Sequence, residues 1–230
     1  MKFGGMQKLT LLDYPEKVSC TLFTYGCNFR CPFCHNASLV IKNNEQHLLK
    51  EKEILAFLQS RQGLLDGVCL SGGEPLLQED IESFIKQVKD MGYLVKLDTN
   101  GSMPDKLKKL VQEKLVDYVA MDVKNSLPKY GLTVGIDDYD TKSVQESAYF
   151  LLNGEIDYEF RTTVVKELHE PEDFLAISQW LKGVKRYFLQ TFEDSGDTIG
   201  SGLHAHTQES MQLFKELLST NIKMPKIRNK

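Results

Sequence analysis

Short apolar runs alternate with amphipathic stretches along almost the whole chain, and this alternation leaves few folds open. Residues 18–25 are rich in β-branched and aromatic side chains and read as a strand. Residues 50–59 carry Ile54, Leu55 and Leu58 at helical spacing. A short apolar run at 68–70 ends in Ser71-Gly72-Gly73, and Ile81, Phe84, Ile85, Val88 and Met91 then mark one face of a helix. The pattern repeats: strand 93–97, a helix opened by Pro104, strand 116–123, helix 143–152, and an alternating strand through Tyr158, Phe160, Thr162 and Val164. A helix marked by Phe174, Ile177 and Leu181, a strand at 187–191 and a helix at 208–218 complete it. Six β-then-α units imply parallel strands joined by right-handed crossovers. The expected fold is therefore α/β, a partial (β/α)6 barrel of parallel strands with outer helices, because six units fall short of a closed eight-unit barrel. A doubly wound flat sheet is the alternative. One domain is expected over 1–230, with an N-terminal extension at 1–17 and a flexible basic tail at 221–230.

The formal net charge of -4 gives no reason to expect nucleic acid or an anionic membrane as partner. No window approaches the apolar length of a membrane span or a signal peptide. The five cysteines are an odd number, in a chain too long to need disulfide staples, and three of them fall within eight residues. That usage fits a metal site in the reducing cytoplasm.

Those three lie in Tyr25-Gly26-Cys27-Asn28-Phe29-Arg30-Cys31-Pro32-Phe33-Cys34-His35-Asn36, just after the first predicted strand, with spacing C-x3-C-x2-C. Thiolates favour zinc, copper(I) and iron–sulfur clusters. A structural zinc takes four protein ligands. A four-iron cluster given three cysteines keeps one iron open to an exogenous ligand. A zinc knuckle or three unrelated cysteines remain the competing readings. Three further motifs end predicted strands: Gly72-Gly73-Glu74-Pro75, Asp98-Thr99-Asn100-Gly101 and Asp122-Val123-Lys124. Strand C-termini form the active face of barrel-like α/β folds. Arg161 sits inside an alternating strand, pointing away from Phe160 and Thr162, and a charge there needs a partner. Cys20 and Cys69 lie within predicted strands and read as small buried hydrophobes.

The cysteine motif resembles the signature of the radical S-adenosylmethionine superfamily. The resemblance implies a 4Fe-4S cluster on Cys27, Cys31 and Cys34, with S-adenosylmethionine chelating the open iron and being cleaved to a 5′-deoxyadenosyl radical. It assigns Gly72, Gly73 and Glu74 to the methionine ammonium, and Phe33 to the adenine. In the glycyl-radical-enzyme activases, stretches similar to the other two motifs lie beside the methionine carboxylate. There the oxygens of Asp98, Thr99 and Asp122 are expected to hold a monovalent cation, and Lys124 to add positive charge. Arg161, Gln190 and His206 are expected to reach the nucleotide, against plainer readings as a structural ion pair for Arg161 and a solvated loop histidine for His206.

The stretch Lys8-Leu9-Thr10-Leu11-Leu12-Asp13-Tyr14-Pro15-Glu16-Lys17-Val18 is similar to activating proteins of anaerobic ribonucleoside-triphosphate reductase, as is Cys34-His35-Asn36. The resemblance covers most of the chain and thins after Val165. Those relatives usually have glycine at the position of Glu16. The resemblance implies an oxidoreductase that abstracts hydrogen from a backbone glycine of a partner glycyl radical enzyme, with Asp13 near the entering glycine loop. With no second cysteine cluster in the chain, the electron is expected from flavodoxin or ferredoxin. Two rivals stand beside this reading: a radical enzyme acting on a small molecule, as deazapurine-forming synthases do, and a non-enzymatic zinc-binding module.

Overall fold

The computed structural model describes residues 1–41, 48–194 and 196–228. Its strands are β1 (Phe3–Thr10), β2 (Ser19–Thr24), β3 (Gly67–Gly72), β4 (Leu94–Thr99), β5 (Tyr118–Asp122), β6 (Asp157–Val164), β7 (Tyr187–Thr191) and β8 (Lys226–Arg228). Its helices are α1 (Ala37–Val40), α2 (Glu51–Gln59), α3 (Ile81–Asp90), α4 (Pro104–Gln112), α5 (Tyr130–Val134), α6 (Lys142–Asn153), α7 (Pro171–Trp180) and α8 (Gln208–Leu218).

The strands are hydrogen-bonded in sequence order, β1 through β8, in one eight-stranded sheet. The pairs β2–β3, β3–β4, β6–β7 and β7–β8 are parallel, and β1–β2 is antiparallel. A doubly wound sheet reverses its strand order at a switch point, and this order never reverses. The α/β class with a sequential parallel sheet and surrounding helices stands as expected; the flat doubly wound alternative does not.

Two stretches take a form that the sequence pattern did not mark. Within the expected N-terminal extension, residues 3–10 form a strand of the sheet, because pairing with β2 organises a stretch whose two glycines and polar residues give it no alternating pattern of its own. The tail, expected to fray, supplies β8. Ile222 is buried, and Arg228 meets Glu159, which is 1% exposed, through two contacts of 3.1 and 3.3 Å. A carboxylate buried that far requires a cation, and the tail provides it. Asn229 and Lys230 lie outside the described residues.

The chain packs as two compact units. The first comprises Met1–Asn28, Ser38–Thr99 and Met103–Ala120; the second comprises Phe29–Ala37, Asn100–Ser102 and Met121–Lys230. In the first, α3 buries Ile81, Phe84, Ile85 and Val88 and packs on β4, whose Val95 and Leu97 are also buried. In the second, α7 and α8 pack together, with Phe174 and Phe214 stacked at 4.3 Å between centroids.

Candidate active site

In the first unit, β2 leads into the cysteine loop through Gly26, whose φ of 95° is the left-handed region that favours glycine. The Gly26 carbonyl accepts from the Glu74 amide at 2.8 Å, and the Gly73 amide donates to the Thr24 carbonyl at 2.9 Å. A Cβ on Gly73 would stand 1.9 Å from the Gly26 oxygen, and one on Gly72 would stand 2.4 Å from the Thr24 nitrogen. The glycine pair thus lets protein backbone approach protein backbone, a use that the sequence reading, which reserved both glycines for a ligand, did not anticipate.

Glu74 follows and is fully buried. One of its oxygens accepts from the Leu76 amide at 3.1 Å and from the Thr99 hydroxyl at 2.8 Å. Two of the expected strand-end motifs therefore meet through Glu74 and Thr99. Asp98 accepts from the Ser71 hydroxyl at 3.2 Å and forms an ion pair with Lys96. Asp13 is half-buried and accepts from the Thr21 hydroxyl at 2.5 Å.

In the second unit, the Arg30 amide donates to the Val134 carbonyl at 2.8 Å, the Cys34 amide to the Cys31 carbonyl at 3.0 Å, and the Gly200 amide to the Pro32 carbonyl at 2.7 Å. These bonds shape the loop that carries Cys31, Phe33 and Cys34. Asp122, at the end of β5, receives Arg161 Nε and Nη2 on one oxygen at 3.0 Å each and Lys124 Nζ on the other at 3.0 Å. Burial pushes the Asp122 carboxyl up, but the charges of Arg161 and Lys124 outweigh it and hold the group well below the usual carboxylate range. Lys124 is the mirror case: burial opposes its charge, and Asp122 and then Cys31 raise it above the usual lysine range. The Phe33 ring is buried, with Lys124 Nζ 6.0 Å from its centroid.

Sequence reasoning missed the residues that hold Lys124 in place. His169 is buried, with Nε2 2.8 Å from the Lys124 carbonyl and Nδ1 3.1 Å from the Val165 amide nitrogen. Because Nδ1 accepts that amide hydrogen, Nε2 carries the ring proton and donates it to Lys124. Burial lowers the His169 pKa, which suits this neutral form. Asn125 donates to the Thr133 hydroxyl at 2.8 Å and to the Leu168 carbonyl at 2.9 Å. His206 bonds the His169 carbonyl at 3.1 Å and sets its ring edge-on to Phe214. Gln190 lies in β7, in register with Thr163 of β6 and Arg228 of β8.

None of the five cysteines forms a disulfide. Burial pushes Cys20 and Cys69 up to about 12, so neither is a ready thiolate ligand. Cys27 and Cys34 are half-buried, and Cys31 is buried. Among the described residues, no three His, Cys, Asp or Glu side chains are grouped around a point where one ion would sit. A cubane makes no such demand, since each of its three cysteines binds a different iron, and three thiols in one short loop are the donor set it requires.

Comparison with known proteins agrees with this chemistry. Residues 21–171 match the Radical SAM superfamily. A Methanocaldococcus jannaschii protein named for glycyl-radical enzyme activation is 33% identical over 83% of this chain and 79% of its own length. The 7-carboxy-7-deazaguanine synthase of Thermoplasma acidophilum is 27% identical over 71% of this chain and 74% of its own. Among solved structures, SuiB of Streptococcus suis, crystallised with the precursor peptide SuiA, aligns with 90% of this chain at a TM-score of 0.68 and 14% identity. This chain spans 47% of that structure, and the likeness is one of fold. The chain belongs to the radical SAM superfamily and is an enzyme of that class, whose cofactors are a 4Fe-4S cluster and S-adenosylmethionine.

Proposed function

We propose that this enzyme cleaves S-adenosylmethionine reductively and abstracts a hydrogen atom from a backbone glycine of a partner glycyl radical enzyme, with anaerobic ribonucleoside-triphosphate reductase the first candidate. The observation that carries the reading is the relative named for glycyl-radical enzyme activation, matched over most of both chains. The Asp13 segment, similar to reductase activases, supports the choice of partner.

Cys27, Cys31 and Cys34 hold the cluster, which supplies the electron for cleavage. Glu74, with Gly72 and Gly73 shaping its turn, receives the methionine ammonium. Asp98, Thr99, Asp122 and Lys124 define the surroundings of its carboxylate. Phe33 packs on the adenine, and Arg161, Gln190 and His206 serve the rest of the nucleotide. Asp13 orients the incoming glycine loop. Flavodoxin or ferredoxin delivers the electron in the cytoplasm, where thiols stay reduced. No described helix is long and apolar enough to cross a membrane. The family match draws on residues of both compact units, which supports reading 1–230 as one catalytic domain.

A second reading, hydrogen abstraction from a small molecule, is favoured by the deazaguanine synthase among the relatives. The zinc-module reading falls with the family match. Isotope transfer separates the two that remain. With the partner reductase deuterated at glycine, the activase reading expects deuterium in 5′-deoxyadenosine and a glycyl radical signal in the spin-resonance spectrum. Deuterium arriving only from a labelled small-molecule substrate would contradict it.

A further inference from the structure

The two faces of β4 differ in chemistry. Val95 and Leu97 are buried on one, while Lys96 and Asp98 share the other. Lys96 is 1% exposed and Asp98 13% exposed. In register, Lys96 lies beside Cys69 of β3, and Cys69 lies beside Thr21 of β2. The lysine's neighbours in register thus carry thiol and hydroxyl groups, with the Asp13 carboxylate near enough to act on Cys69. Ser19 Oγ stands 3.8 Å from Cys69 Sγ, and Thr21 is bonded to Asp13. Cys69 contributes no negative charge, because burial keeps it a thiol. The carboxylate that meets Lys96 is Asp98, one oxygen on the ammonium and the other on Ser71.

A buried ion pair of this kind is a weak source of stability, and well-packed apolar residues would serve the fold as well or better. Its distinctive property is that it brings a fixed positive charge to Asp98. By resemblance to the activases, the Asp98-Thr99 strand end was expected to hold a monovalent cation. A metal ion on Asp98 would sit next to an ammonium that already occupies the carboxylate, and the two like charges repel.

We propose that the Lys96 ammonium is itself the monovalent cation of this site, so that S-adenosylmethionine binds without sodium or potassium. This rests on the proposed role of Asp98 beside the methionine carboxylate. Lys96 acts as a positioning residue: it fixes the carboxylate of Asp98 and balances its charge where the cofactor's own carboxylate has to approach.

The test is equilibrium binding of S-adenosylmethionine to the anaerobically reconstituted full chain. The starting buffer has choline as its only added cation; potassium or sodium then replaces it at constant ionic strength. The parent is expected to change affinity by less than about threefold. Tightening beyond that overturns the proposal. Lys96→Met is expected to bind at least about tenfold more weakly in choline, losing one charge-assisted contact, and to recover in potassium or sodium. A Lys96→Met chain that binds like the parent in choline also overturns it. If that variant does not fold, the parent's own titration decides. Failure of the parent to bind S-adenosylmethionine in any buffer removes the cofactor assignment of Asp98 and this proposal with it; binding that depends on alkali metal removes only this proposal.

Discussion

Arg161 and Asp122 are joined by a two-nitrogen grip: Nε and Nη2 of the guanidinium each stand 3.0 Å from the same carboxylate oxygen. Arg161 lies in the middle of β6 and Asp122 ends β5, so the pair ties strand body to strand end. Lys124 takes the other oxygen, leaving the Asp122 carboxylate 31% exposed between two cations. Arg161→Gln is expected to lower the unfolding free energy of the cluster-free protein by roughly 1.5–3 kcal/mol at neutral pH, the range for a hydrogen bond to a charged group. Urea unfolding followed by circular dichroism measures it, and an unchanged midpoint would show that the pair contributes nothing to the fold.

The same pair sets a pH dependence. Asp122 has its folded pKa held below the usual carboxylate range, so its contribution is fully present above the unfolded value of about 4. It is lost as pH falls through the lower folded value. The stability gap between parent and Arg161→Gln is therefore expected to be constant from neutral pH to about 5 and to shrink below about 4. A gap that stayed constant down to the acid-unfolding limit would assign the loss to packing instead of charge.

Glu16 carries a backbone strain. Its φ is 61°, in the left-handed region that favours glycine, and the resemblance to reductase activases carries an expectation of glycine at this position. The side chain is exposed, so little is lost with it. Glu16→Gly is expected to stabilise the protein by about 0.5–1 kcal/mol, the left-handed penalty of an ordinary residue less the added freedom of the unfolded glycine. Thermal unfolding of the two chains checks this; a lower midpoint for the glycine variant would mean that Glu16 has a compensating interaction.

Elements with a strong period were the most legible. The apolar face of α3 marked that helix, and the limits expected for β7 and α8 match those found. The elements that were missed draw their order from partners distant in sequence. β1 is organised by β2, and three-residue β8 by β7 and by the carboxylate of Glu159. Within the proposed site, cysteine spacing marked the three loop cysteines, while Glu74, Asp98 and Asp122 came from the family resemblance, with their shared placement at strand ends as support. The supporting polar residues escaped because their partners are backbone atoms, such as the Lys124 carbonyl beneath His169. Lys96 was within reach: a charge in the middle of a predicted strand was the argument that singled out Arg161, and it applies equally to Lys96.

The most direct test of the radical SAM chemistry is 5′-deoxyadenosine formation. The protein is purified without oxygen, reconstituted with iron and sulfide, and reduced with dithionite in the presence of S-adenosylmethionine; the product is then measured by chromatography for the parent and for Cys31→Ala. The account predicts 5′-deoxyadenosine from the parent and none above background from the variant. A fully reconstituted parent that makes none, or a variant that matches the parent, would contradict it.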